Sequence, residues 1–400
     1  MFSFSRLKKT AVTAATFGMA IFSLTSFAVT PHEVSVLFKV SSKVDFEKVI
    51  STLTEKFPAI KIEAIVGDVY VAKEVATTFT DEEFAFAVKR IKGIHSVQLN
   101  RLAYPPISVP ALPSSDKATE IDKKWFITKM QVPLFWEKSK GSHSTKVLIC
   151  DTGIDANHPD LKGNIGVGMN FIDGSTNTMP TGNPHGTRLA GLIGGQGGRT
   201  GAGVTGINWD VQIIPGKITN QPNGGADHAV SAKCIKWGAD QGIKVVNLSY
   251  SNAVSNLAVQ EAADYLYAKG GVLIVSGGNS GAQIDLPDHP HMIAVGGTNL
   301  YDWHPPAYNT GNYIDISAPA SSLYTTDVGG KYLYDNGSSL AAAVVSGAAA
   351  LILSARPNLT AEELTKVLLT STVDLGTAGR DPAFGIGRID LGKAVSILGL

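Results

Sequence analysis

Val147-Leu148-Ile149-Cys150-Asp151-Thr152-Gly153-Ile154-Asp155 is the stretch from which the fold of this 400-residue chain is read. A short apolar run ends in a carboxylate, and a glycine follows. A run of that length suits a strand covered on both faces, as in a parallel sheet. Outward along the chain the same pattern returns at 211–214, 244–248, 271–275 and 292–295, with helical stretches between. That alternation predicts an α/β fold, a parallel sheet with helices on both faces. Reactive groups of such sheets collect at the carboxyl ends of the strands, where Asp151, Ser249 and Gly277 fall.

Upstream, residues 29–104 have a rhythm of their own. Residues 33–40 alternate like a strand, and Phe46, Val49, Ile50, Leu53 and Phe57 share one helical face. Residues 60–75 read as a hairpin turning at Gly67-Asp68. Thr80 and Glu83 have capping-box spacing ahead of a second helix, and 96–102 close as a strand. The order β-α-β-β-α-β is that of a small ferredoxin-like α+β domain. Residues 105–124, with Pro105, Pro106, Pro110 and Pro113, form an extended connector open to proteolysis.

Residues 1–28 combine Arg6, Lys8 and Lys9 with the apolar run 11–24 and the small-residue end Ser26-Phe27-Ala28. This is the pattern of a cleaved secretory signal, so a secreted product, extracellular or periplasmic, is expected. No later stretch reads as long and apolar enough to cross a bilayer, and no membrane partner is expected after cleavage. Lys+Arg and Asp+Glu balance at 34 each, so no overall field favours nucleic acid. The two cysteines, Cys150 and Cys234, sit in apolar surroundings and read as buried small hydrophobes, with a mutual bridge left open.

Three segments each place one polar group among small residues: Asp151-Thr-Gly, Pro184-His185-Gly186-Thr187, and Asn336-Gly337-Ser338-Ser339-Leu340-Ala341. A serine hydroxyl attacks only when a base takes its proton. A histidine serves as that base when a buried carboxylate holds its other ring nitrogen in the donor form. Asp151 at a strand end, His185 at a helix start and Ser339 at the start of an apolar helix could meet above one sheet. Asn279, at the end of Val272-Leu-Ile-Val-Ser276-Gly-Gly-Asn279, could aim an amide N–H at the oxyanion.

These segments resemble the subtilisin-like serine peptidases, or subtilases. The resemblance runs from about Trp125 to the C-terminus, and residues 29–104 resemble the family's inhibitory propeptide. It implies a secreted serine endopeptidase working through an acyl-enzyme and made as an autoprocessed zymogen. In it Asp151 orients, His185 is base and acid, Ser339 attacks and Asn279 stabilises the oxyanion. Ser249-Tyr250-Ser251 and Ser276-Gly277-Gly278 would be two walls binding substrate backbone. The implied partners are protein or peptide substrates and the chain's own propeptide, with the enzyme otherwise a monomer. The chemistry needs no cofactor. Structural calcium is frequent in the family, and Asp160 matches one carboxylate used for it, but the loop 195–206 lacks the companion asparagine. The departures from the family pattern are Arg188 for a second histidine, Ser338 and Leu340 beside the nucleophile, and Ala343-Val344 after it. They are expected to alter substrate fit.

Blander readings compete. Asp-Thr-Gly occurs in aspartic peptidases, but that mechanism needs two such carboxylates and the motif occurs once. Gly201-Ala-Gly203-Val-Thr-Gly206 has dinucleotide-fingerprint spacing without the strand and helix that should flank it. His289 and His291 lack the companions of a metal site. A catalytically silent subtilase fold used for binding is the rival from another class. It gives no physical reason to keep Asp151, His185, Asn279 and Ser339 together.

Overall fold

The computed structural model describes residues 32–41, 46–76, 79–105, 122–197 and 203–400. The expected signal segment and connector residues 106–121 lie outside the described residues, as does part of the dinucleotide-like stretch.

The stretch 147–150 forms the heart of strand Lys146–Asp151. It lies inside a nine-stranded sheet whose spatial order is 372–373, 388–389, 316–319, 292–298, 272–276, 245–248, 146–151, 212–217 and 169–170. Every neighbouring pair is parallel except the edge pair 372–373 with 388–389. The chain leaves Lys146–Asp151 toward one side of the sheet and later returns to build the other. Asp151 therefore stands at the point where the strand order reverses, where open α/β sheets leave a crevice.

Both faces of these strands are covered. Val147, Ile149, Val245, Ile274 and Val295 join one core with the helices Val132–Trp136, His185–Gly194 and Ser338–Ala355. Leu148, Cys150, Val246, Leu273 and Ala294 join another with the helices His228–Asp240 and Leu257–Ala268. Neighbouring residues of one strand point into opposite layers, which is why the sequence shows continuous apolar runs rather than alternation. Strand Ile316–Pro319 and the hairpin of Leu323–Asp327 and Lys331–Asp335 extend the architecture beyond the five expected strands.

One expectation needs correction, and one open question is answered. Ser338–Ala355 meets the length and apolarity of a membrane span, yet 89% of that window is buried. It is the central core helix. Its many alanines favour helix and let it approach the strands closely. Cys150 and Cys234 are joined in a disulfide across 84 residues, tying the Asp151 strand to helix His228–Asp240. Burial in apolar surroundings was the correct reading of their environment, but pairing depends on tertiary proximity.

The N-terminal unit has the order read from the sequence, with antiparallel strands arranged 61–66, 69–76, 32–40, 94–99. Thr80 and Glu83 form the capping box of helix Asp81–Lys89. Val34, Val36 and Phe38 face this unit's own helices. Leu37, Val69 and Val71 share the core of helices His228–Asp240 and Leu257–Ala268 instead. One face of the small sheet is thus roofed by the larger unit.

Candidate active site

Asp151 is fully buried at its strand end. Its Oδ1 and Oδ2 lie 2.9 and 3.0 Å from His185 Nδ1, and Oδ1 also accepts the Thr152 N–H. An ionised carboxylate accepts only, so Nδ1 is the protonated nitrogen. Asn183 Oδ1 accepts the His185 N–H at 2.9 Å, satisfying a donor at the helix start. Gly186 lets the two elements touch: a β-carbon there would lie 2.4 Å from the Gly153 carbonyl oxygen. His185 Nε2 is buried and makes no hydrogen bond. The imidazole is oriented on one side and unengaged on the other.

Ser339 is the second residue of the core helix and is 2% exposed. Helix His185–Gly194 lies against that helix. A β-carbon at Gly337 would sit 3.0 Å from both Asn279 Nδ2 and Ser339 Oγ, so glycine keeps the space between amide and hydroxyl clear. Asn279 Oδ1 accepts the Ser338 N–H at 2.9 Å, which fixes the amide plane. Ser338 Oγ accepts the Gly278 N–H at 2.9 Å. The serine that departs from the family pattern at 338 thus supplies a hydroxyl that ties the Asn279 loop to the nucleophile helix.

Behind Ser339 lies a buried polar relay that the sequence reading missed. Ser249 Oγ donates to the Ser339 carbonyl, Asn247 Nδ2 donates to Ser249 Oγ, and Ser346 Oγ donates to Asn247 Oδ1. The first and last links join the end of strand Val245–Leu248 and the strand itself to the helix, and the middle one runs along the strand. Asn247 sits in an otherwise apolar strand, and a polar residue there was the available signal.

Of the six expected wall residues, Ser251, Ser276, Gly277 and Gly278 line, with Asn279, a cavity of about 340 Å³. Val254, Leu286 and Tyr313 give it apolar walls, and the Tyr313 hydroxyl donates to the Gly277 carbonyl at 2.6 Å. Ser249 and Tyr250 stand elsewhere. Both are fully buried, Ser249 engaged with Ser339 and Tyr250 donating its hydroxyl to the Gly224 carbonyl at 2.9 Å. Burial and the Asp151 charge push the Tyr250 phenol well above its ordinary value, so it stays a neutral donor. His228, buried behind Ser251 with Nε2 3.1 Å from its carbonyl, is brought down to about 4 by burial.

The other departures are core residues. Leu340, Ala343 and Val344 are at most 1% exposed and belong to the central core. Arg188 Nη1 donates to Asp335 at 2.9 Å and Nε to Asp327 at 3.4 Å. It braces the His185 helix against the hairpin that precedes Ser339. Each of these positions thus has a packing or bracing role in the fold.

Asp160 is engaged within the protein. Its Oδ2 accepts the Val204 N–H at 2.6 Å, and no cluster of three metal-ligating side chains occurs among the described residues. His291 Nδ1 meets Asp264 at 2.6 Å and its ring stacks on Tyr267, a surface arrangement.

The cleft also holds a segment of the N-terminal unit. Strand Leu102–Ala103 pairs antiparallel with Ala226–Asp227, and the Tyr104 carbonyl accepts the Ser251 N–H at 3.0 Å.

Comparison with known proteins agrees with this architecture. The family model described as "Subtilase family" matches residues 142–387. Thermitase of Thermoactinomyces vulgaris is 32% identical over 271 residues, covering 67% of this chain and 94% of thermitase. Subtilisin DY of Bacillus licheniformis is 35% identical over 244 residues, covering 59% of this chain and 86% of that enzyme. Among solved structures, fervidolysin from Fervidobacterium pennivorans, a keratinolytic enzyme related to subtilisin, aligns with a TM-score of 0.72. At 22% identity, covering 92% of this chain and 61% of fervidolysin, it speaks to the fold alone. The chain belongs to the subtilase family of serine endopeptidases.

Proposed function

We propose that this chain is a secreted endopeptidase, made as an autoprocessed zymogen, whose reaction runs through Ser339, His185 and Asp151. The observation that carries the reading is the bond from His185 Nδ1 to buried Asp151, with Nε2 left unengaged in a helix lying against that of Ser339. Ser339 Oγ attacks the substrate carbonyl carbon as its proton passes to Nε2. Asp151 holds the imidazole and offsets the positive charge it gains. The carbonyl oxygen becomes an oxyanion facing Asn279 Nδ2 and the positive end of the core helix. On collapse the C–N bond breaks, Nε2 gives its proton to the leaving amine, and an acyl-serine remains. A water, deprotonated by the same imidazole, then releases the acid and restores Ser339.

In the precursor, residues 29–104 act as an intramolecular inhibitor. Support comes from the Leu102–Pro105 segment, which adds to the Ala226–Asp227 edge and hydrogen-bonds Ser251 as an extended peptide would. The connector that follows is the expected cutting region. Apolar walls at Val254, Leu286 and Tyr313 favour an apolar substrate side chain in the cavity. No metal is needed for any step.

The test is expression of wild type and Ser339→Ala, with casein as substrate and a fluorophosphonate as label. Wild type should digest casein and take the label at Ser339, and the variant should do neither. An unlabelled, inert wild type would contradict the proposal.

A further inference from the structure

The Leu102–Pro105 segment runs between two edges. On one side Leu102 and Ala103 pair with Asp227 and Ala226. On the other, Tyr104 is held by Ser251, its N–H 3.3 Å from Ser251 Oγ and its carbonyl 3.0 Å from the Ser251 N–H. Side chains of an extended strand alternate, and here they do so visibly: Leu102 is 49% exposed, Ala103 3% and Tyr104 42%. Ala103 is the one that points down into the enzyme.

The buried apolar cluster that Ala103 joins also holds Tyr250. The tyrosine ring shares that cluster with Ala226, Ala229 and Val254 as well, and it has no exposed surface. Its hydroxyl bonds the Gly224 carbonyl, two residues before Ala226, so the ring spans the space from the Ser251 wall to the opposite edge. A closely packed interior has no room to spare for a second large side chain.

We propose that Tyr250 is a specificity-determining floor: it fills the space beneath the two edges and restricts the substrate residue taking Ala103's place to alanine, glycine or serine. The inference rests on the reading above, in which substrates follow the path of the Leu102–Pro105 segment. It predicts a peptidase choosing proteins by a small residue on the acyl side of the cut, in addition to whatever fills the apolar cavity.

Two measurements test it, one of them independent of activity. In the full-length Ser339→Ala chain, added trypsin cutting after Arg101 reports release of the segment. Ala103→Leu should speed that cut about tenfold, a modest result of overpacking. Tyr250→Ala in the same chain should reverse most of that increase. Independent, multiplying effects of the two substitutions would overturn the floor. In active enzyme, peptide-mixture digestion should show one position confined to small residues. Tyr250→Ala should admit leucine and phenylalanine there, and at no other position. Tyr250→Phe keeps the ring and should keep the restriction. An unchanged profile in Tyr250→Ala, or loss of the restriction in Tyr250→Phe, would also overturn the proposal. An inert wild type would contradict the peptidase reading while the trypsin experiment still decides the floor.

Discussion

The surroundings of Ser339 and the junction between the two units are held together by different means. Around Ser339, buried neutral groups make directed hydrogen bonds: Ser338 to Gly278, Asn279 to Ser338, and the relay of Ser249, Asn247 and Ser346. A disulfide lies one residue from Asp151. At the junction, an apolar patch around Leu37, Val69 and Val71 is rimmed by partly exposed ion pairs, Lys39 with Glu261 and Lys233 with Glu63. Buried, satisfied networks fix one geometry, whereas exposed pairs contribute little and yield to salt. One region is fixed by directed buried contacts, and the other by an apolar patch whose rim yields to salt.

The largest expected effect breaks the first region. Asp151→Asn should lower kcat about 10⁴-fold with little change in fold, because it leaves His185 in the wrong tautomer. Single-turnover kinetics on a peptide substrate checks this. Next, replacing Cys150 and Cys234 together by serine should cost the folded chain about 4–5 kcal/mol, from the entropy of an 84-residue closure. Denaturant unfolding measures that loss.

A pH experiment sharpens the comparison further. The folded chain keeps His228 neutral down to about 4, whereas an unfolded histidine takes up a proton below about 6.5. Its contribution is therefore fully present above about 6.5 and is lost as pH falls through that value toward about 4. Asp315, pushed up to about 7 by burial, works in the opposite sense, so the difference from His228→Gln isolates the histidine. Relative to that variant, wild type should lose about 3 kcal/mol between pH 7 and pH 4. The smallest effects belong to the rim. Lys39→Ala and Glu63→Ala should each weaken the junction by about 0.5 kcal/mol, and high salt should reduce even that.

Asp151 and the parallel sheet were legible because an apolar run ending in a carboxylate carries its meaning locally. So was the N-terminal unit, whose periodicities, hairpin turn and capping box are all short-range. The strand Ile316–Pro319 escaped notice because Ser317 and Pro319 interrupt its apolar pattern. Arg188 read as a change in substrate fit, since its partners Asp327 and Asp335 lie 139 and 147 residues away. Tyr250 read as part of a wall for the same reason: nothing near it in sequence says that its hydroxyl reaches Gly224. Residue types and local order are written along the chain, whereas which buried groups meet is decided by the packed layers.

The most direct measurement follows the mass of the full-length chain with time, for wild type and for Ser339→Ala. Wild type should lose its N-terminal unit by a cut within residues 105–124, and Ser339→Ala should keep it. A wild type that stays whole, or a variant that is cut at the same place and rate, would contradict the account.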